Sequence, residues 1–187
     1  MDKLEVYAAL LGRWNEKVNL VSKGSLEGLW RRHILDCAQL VQFIPQSART
    51  LVDLGSGAGL PGLILAIVLG PRISTTLIEA TTKKCRFLEA AASELALDVE
   101  VRNERIEDAR PRPFHVVTAR ACAPLSELLA YAKPFVGKDS VVLFLKGQNV
   151  GSELTAASNC WRMDLVQHPS ASDPTGRIVE VREFSAK

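Results

Sequence analysis

At 187 residues, 47% hydrophobic and 24% charged, the sequence has the balance of a globular protein, which excludes a disordered or collagen-like chain. Its longest apolar run, Leu60 to Leu69, contains Pro61 and Gly62 and is too short to cross a bilayer. A formal net charge of +2 gives no bulk pull toward nucleic acid, so any such contact has to come from local clusters.

Two helical segments come first. Leu4, Tyr7, Ala8, Leu11 and Trp14 recur at helical spacing. A second segment runs from Leu26 to Phe43, with Leu29, Trp30, His33, Ile34, Cys37, Leu40 and Val41 on its apolar side, and Pro45 ends it. Asn15 to Ser22 is the connector between them. From Thr50 the period changes. Strands are expected at Thr50–Leu54, Ser74–Glu79, Val99–Arg102, Phe114–Arg120 and Ser140–Lys146. Helices alternate with them: Pro61–Leu69, Thr81 or Thr82 to about Leu95 with a threonine hydroxyl as cap, Pro124–Pro134, and Val150–Asn159. Glu104–Pro113 is a polar loop. Two β-like stretches, Cys160–Val166 and Ile178–Phe184, close the sequence. This alternation predicts an α/β fold with a mostly parallel, doubly wound sheet and an antiparallel edge at the C-terminal end. Residues 1–48 are expected to form a helical extension and residues 49–187 the core, together one compact unit.

Cys37, Cys85, Cys122 and Cys160 form no C-x-x-C pair, and Asp2, Lys3 and Glu5 interrupt any apolar run at the N-terminus, so no signal peptide is expected. Reduced thiols in a cytoplasmic protein without a metal site are expected.

The chemistry concentrates in one turn. Asp53-Leu54-Gly55-Ser56-Gly57-Ala58-Gly59 follows the first strand. Its glycines permit a tight turn and a close approach of ligand to backbone. Glu79 ends the second strand, where a carboxylate can accept both ribose hydroxyls of an adenosine. Gly57 to Gly62 is also a literal G-x-G-x-x-G, which suits a nicotinamide cofactor as well. Asp53 favours S-adenosylmethionine, because its carboxylate can meet an ammonium group directly or through water and would repel a pyrophosphate. The fifty or so residues of helix before the turn favour it too. Nothing downstream resembles a hydride-transfer site.

A resemblance sharpens this reading. Leu51–Gly62 (LVDLGSGAGLPG) resembles the signature of the bacterial small-subunit rRNA guanine-N7 methyltransferase family. Trp14-Asn15 with Asn19-Leu20-Val21-Ser22, Arg32 to Cys37, and Lys83 to Leu88 resemble further elements of that family in the same order. Ile106-Glu107, Arg120-Ala121 and Lys146-Gly147 complete the series. Leu60 stands where Phe is common and Cys37 where Ser is common. The resemblance implies a Rossmann-like class I methyltransferase fold. It also implies S-adenosyl-L-methionine as cofactor, held by Gly55, Leu60, Ile106, Glu107 and Arg120, beside Asp53, Gly57, Gly59 and Glu79 from the turn and the second strand. Leu60 and Ile106 are placed to sandwich the adenine.

The implied partner is 16S rRNA or the small ribosomal subunit, met by a monomer without metal or membrane. Guanine N7 already carries an in-plane lone pair, so alignment and electrostatics suffice and no general base is needed. Consistently, no N-P-P-Y is present. Cys122 lacks a Pro-Cys context and reads as a buried thiol rather than a nucleophile. Arg120 and Lys146 are candidates to position the substrate by gripping a phosphate or the guanine edge, and a carboxylate-paired structural role is the alternative for Arg120. RNA contact is expected from Arg31, Arg32, His33, Lys83, Lys84, Arg120 and Lys146. Lys83 and Lys84 sit in a first helical turn, where cations are disfavoured by a few tenths of a kcal/mol each, roughly, so phosphate binding would explain them. Asn15 and Asn19 suit turn and cap roles as well as RNA contact.

Overall fold

The computed structural model describes residues 2–187. The chain opens with α1 (Lys3–Asn15), capped by the Asp2 side chain, and the short α2 (Lys23–Leu26). A π-helical turn (Trp30–Leu35), α3 (Asp36–Ala38) and a 3-10 turn (Gln39–Phe43) follow without a break. The alternating part is β1 (Thr50–Leu54), α4 (Gly62–Leu69), β2 (Ser74–Ile78), α5 (Thr82–Glu94), β3 (Val99–Arg102), β4 (Phe114–Arg120), α6 (Leu125–Ala132), β5 (Val136–Lys146) and α7 (Val150–Cys160). An antiparallel pair, β6 (Trp161–Pro169) and β7 (Arg177–Ala186), completes it.

One seven-stranded sheet runs β3-β2-β1-β4-β5-β7-β6. β1 to β5 pair in parallel, and β7 lies antiparallel to β5. From β1 the chain builds outward to β3, then returns to lay β4 on the other side of β1. Strand order therefore reverses between β1 and β4, and a crevice opens at their carboxyl ends. Both faces of the sheet are covered. Leu51 packs with α1, α4 and α5 residues such as Tyr7, Leu63 and Phe87, while Val52 and Leu54 pack with Leu125, Leu128 and Ala157 of α6 and α7. That burial on both faces explains why these strands are apolar runs rather than alternating ones. The N-terminal helices share the first of these cores, with Tyr7, Leu10 and Leu11 beside Leu60 and Leu63.

The second expected helix differs from its reading. A turn at Glu27-Gly28 and the widened π turn break the 3.6-residue phase, so Trp30 is 51% exposed while His33 and Ile34 point inward. Thr81 occupies the cap position of α5 without a side-chain bond; its backbone N–H is held instead by the Glu79 carboxylate at 2.8 Å. β5 begins at Val136 rather than Ser140, past an irregularity in its pairing with β4 between Phe114 and Val116. The Glu104–Pro113 loop contains a 3-10 turn, Ile106–Asp108.

Candidate functional site

The glycine turn passes Gly55, Gly57 and Gly59 through the left-handed region, with φ of 66°, 57° and 79°. It forms one wall of a cavity of about 460 Å³ at the carboxyl ends of β1, β2 and β4. That volume lies within the range of small-molecule sites. A side chain at Gly55 would place its Cβ 2.4 Å from Cys122 Sγ, so the cradle requires glycine.

Glu79 sits at the mouth of the same cavity and is anchored there by two backbone donors, Gly57 N–H to Oε2 at 2.9 Å and Thr81 N–H to Oε1 at 2.8 Å. Each oxygen keeps a lone pair for a ligand hydroxyl. Leu60 and Ile106 supply apolar surface, and Glu107, Lys84 and Arg120 also line the space. Gly55, Gly57, Leu60, Glu79, Ile106, Glu107 and Arg120 thus converge as the sequence suggests.

Asp53 and Gly59 do not line this cavity. Asp53 is fully buried. Its carboxylate accepts from Gly62 N–H at 3.1 Å and from the Thr118 hydroxyl, its cross-strand neighbour, at 2.9 Å. It ties α4 and β4 to β1 and has no direct reach to a ligand. Burial pushes its pKa up to about 6, against the hydrogen bonds from Thr118, Ser56 and Gly62. Gly62 is equally constrained, since a Cβ there would lie 2.3 Å from Leu77 and 2.8 Å from Asp53.

Arg120 reaches back from β4 to the π turn. Its guanidinium pairs with Asp36 at 3.1 Å, donates to the Arg32 carbonyl at 3.3 Å, and meets His33 Nδ1. His33 Nε2 bonds Ser25 Oγ at 2.9 Å, and that hydroxyl donates to the Ser22 carbonyl. One tautomer satisfies the whole chain: Nδ1 accepts and Nε2–H donates. Burial, with Arg120 and then Arg32 adding repulsion, lowers the His33 pKa to about 4. His33 is therefore neutral at pH 7 and not a phosphate-binding cation.

The other cations separate. Lys84 faces the cavity, whereas Lys83 lies in a groove between α1 and α5 with Arg13, Lys17 and Arg86. Arg31 and Arg32 are exposed. Lys146 is almost wholly buried, with Nζ 2.6 Å from Glu153 Oε2.

Several further residues line the cavity beyond those expected to hold the cofactor. Leu20 and Val21 of the connector reach in, and so do Cys122, Glu127 and Tyr131. Glu127 and Tyr131 lie four residues apart on α6, a spacing that puts them side by side, and their mutual hydrogen bond lifts the phenol pKa to about 12. Cys122 is exposed rather than buried. Its sulfur nevertheless lies against Gly55, and this partial desolvation, with the carboxylates around it, raises the thiol pKa, so it is not an activated nucleophile.

A family profile described as GidB, rRNA small subunit methyltransferase G, matches residues 1–176. The chain belongs to this family. It is 47% identical to the ribosomal RNA small subunit methyltransferase G of Gluconobacter oxydans, over 98% of this chain and 93% of the relative. The protein of the same name from Caulobacter vibrioides is 44% identical over 99% of this chain and 86% of its own length. Among solved structures, a Bacillus cereus O-methyltransferase in complex with SAH superposes with a TM-score of 0.65 at 16% identity, covering 95% of this chain and 91% of that one. The mitomycin 7-O-methyltransferase MmcR superposes at 0.63 with 17% identity, over 97% of this chain and 67% of that one. At these identities the likeness establishes the Rossmann-like methyltransferase fold. Membership of the methyltransferase G family disfavours the nicotinamide reading of the same glycines.

Proposed function

We propose that this chain transfers the methyl group of S-adenosyl-L-methionine to N7 of a guanine in 16S rRNA. The observation that carries the reading is the family match over residues 1–176 joined to a glycine cradle whose Gly55 admits no side chain. The residues present fit the cofactor: a backbone cradle, an anchored carboxylate at Glu79 for ribose hydroxyls, and apolar surface from Leu60 and Ile106 for the adenine. Glu107 stands at the polar edge. Asp53 acts from behind, fixing the Gly62 amide and thereby the turn.

When bound, the cofactor supplies an electrophilic methyl group on a sulfonium. The protein then has to align a ring nitrogen with that methyl and keep water out. A guanine N7 needs no proton removed. In agreement, His33 is tied into the Arg120 network and the Cys122 thiol is held in its protonated form. N7 faces the deep major groove of an A-form helix, so the target base is in a loop or splayed out. Arg31, Arg32, Lys83 and Lys84 supply phosphate contacts, and the protein acts as a cytoplasmic monomer without metal. The helical extension over residues 1–48 belongs to the same working unit through Leu20, Val21 and His33.

Incubation with methyl-labelled cofactor and naked 16S rRNA, free 30S subunits or total RNA tests this. The expected result is label in 7-methylguanosine after nuclease digestion of one of these substrates. S-adenosylhomocysteine binding with no label in any RNA would overturn it in favour of a non-catalytic rRNA-binding role.

A further inference from the structure

A second cavity, of about 720 Å³, lies beside the first and shares two of its walls, Arg120 and Ala121. Three other cavities, between α1 and α5, at the start of β4 and β5, and at the far end of α4, share no lining residue with the cofactor space. A base whose ring nitrogen has to meet the methyl group must be held in a space contiguous with the cofactor, and this one qualifies. Its floor carries Lys146 and Glu153, from the carboxyl end of β5 and from α7. Exposed Arg31 and Arg32 stand at its rim.

Lys146 and Glu153 are fixed, yet neither is saturated. The Lys146 ammonium donates to the Ala123 carbonyl at 3.0 Å and forms an ion pair with Glu153, Nζ to Oε2 at 2.6 Å. An ammonium has three donors, so at least one remains. Glu153 Oε2 also accepts from Leu125 N–H at 2.8 Å, while Oε1 takes no hydrogen bond among the described residues. Their side chains are only 6% and 22% exposed. The result is a spare donor beside a spare acceptor, in a sheltered place, at the correct end of the sheet.

We propose that this pair reads the Watson–Crick edge of the target guanine, an inference that rests on the guanine-N7 methylation proposed above. Guanine presents the O6 acceptor next to the N1–H and N2–H donors. Lys146 meets the first and Glu153 the second. Adenine, the other purine and so the other base with an N7, presents the reverse order, a donor at N6 and an acceptor at N1. It would set donor against donor and lone pair against lone pair. Glu153 has a second effect. Methylation leaves a positive charge on the ring and makes N1–H more acidic, so a carboxylate facing N1–H favours the charge that develops. The pairing also revises the expectation for Lys146. A lysine already neutralised by a half-buried carboxylate is a poor phosphate clamp, and the phosphate contacts fall to the exposed rim cations.

The test compares Glu153→Gln and the double variant Lys146→Met/Glu153→Gln with the wild-type protein. In both variants the glutamine carbonyl can still accept the Leu125 N–H. The double variant also removes both charges together, which avoids stranding a buried lysine. Methyl transfer to the best rRNA substrate, S-adenosylhomocysteine affinity, rRNA affinity and thermal unfolding are measured for each. Transfer at subsaturating rRNA is expected to fall about 10- to 100-fold, the range of one good base contact. Cofactor and rRNA affinity are expected to stay close to wild type in both variants, and the unfolding temperature in the double variant, whereas Glu153→Gln alone lowers it by leaving Lys146 unpaired. Unchanged transfer in either variant overturns the proposal. So does a loss of cofactor affinity or of cooperative unfolding in both, since that would make the pair a brace for β5 and α7. A wild-type protein that methylates no RNA defeats the underlying reading instead, a result distinguishable from either variant outcome.

Discussion

At Gly55 the backbone is left-handed and the space for a side chain is taken by the Cys122 thiol. Gly55→Asp forces both a strained φ and a clash, and it directs a carboxylate toward the cavity. Calorimetry is expected to show S-adenosylhomocysteine affinity lost while unfolding remains cooperative; near-normal affinity would mean the turn is not the cofactor site. Residues of this kind were legible in the sequence because they sit at strand ends or demand glycine. Gly55, Glu79 and Arg120 line the crevice from such places, whereas Leu60, Ile106 and Glu107, which also line it, are legible only through the family resemblance. A direct contact from Asp53 to the ligand, one of the two routes its position suggests, is not what its burial allows. Its partners are the Gly62 amide, nine residues on, and Thr118, on a strand that only the sheet order brings alongside. Glu153 was invisible for a similar reason, since nothing in its own helix announces that Lys146 and the Leu125 amide converge on it.

The element that most exceeds its sequence reading is the connector after α1. Asn15 Oδ1 accepts from the amides of Leu20 and Val21 at 2.8 and 2.9 Å, and its Nδ2 donates to the Val21 carbonyl at 3.1 Å. This one buried side chain folds the connector into a loop that carries Leu20 and Val21 to the cofactor cavity. Asn19 is exposed and takes no part in it. Asn15→Ala leaves the part-buried Val21 amide without its acceptor, while the Leu20 amide keeps the Val18 carbonyl, and is expected to cost about 1–3 kcal/mol of stability. It should also weaken S-adenosylhomocysteine binding several-fold. Urea unfolding and calorimetry check the two effects separately, and lost stability with unchanged affinity would remove the connector from the site. The helical period of residues 26–43 does not reveal the π turn, whose His33 and Asp36 both bind Arg120, a partner on β4 that the local sequence does not announce.

Over the whole molecule, two buried groups make opposite contributions to stability. Asp53 has a folded pKa of about 6 against an ordinary 3.8. The folded state therefore holds its proton more tightly, and stability falls as pH rises through that interval, by about 3 kcal/mol in all. His33 has a folded pKa of about 4 against 6.5. Its contribution is complete above pH 6.5 and is lost as pH falls toward 4. The two slopes oppose each other where they overlap, so the wild-type urea midpoint is expected to vary little between about pH 4 and 6 on their account. Asp53→Asn should leave stability rising with pH in this range, and His33→Asn should leave it falling. Identical pH profiles for all three proteins would contradict the burial argument for both groups. Asp53 and His33 are linked through Thr118 and Arg120, neighbours but one on β4, and Arg120 forms the partition between the two cavities. A partition that both ligands touch makes their occupancies reciprocal: whatever factor the cofactor changes in affinity for rRNA, rRNA must change in affinity for the cofactor. Order of arrival can then alter the rate of assembly, but not the free energy of the complex that is reached.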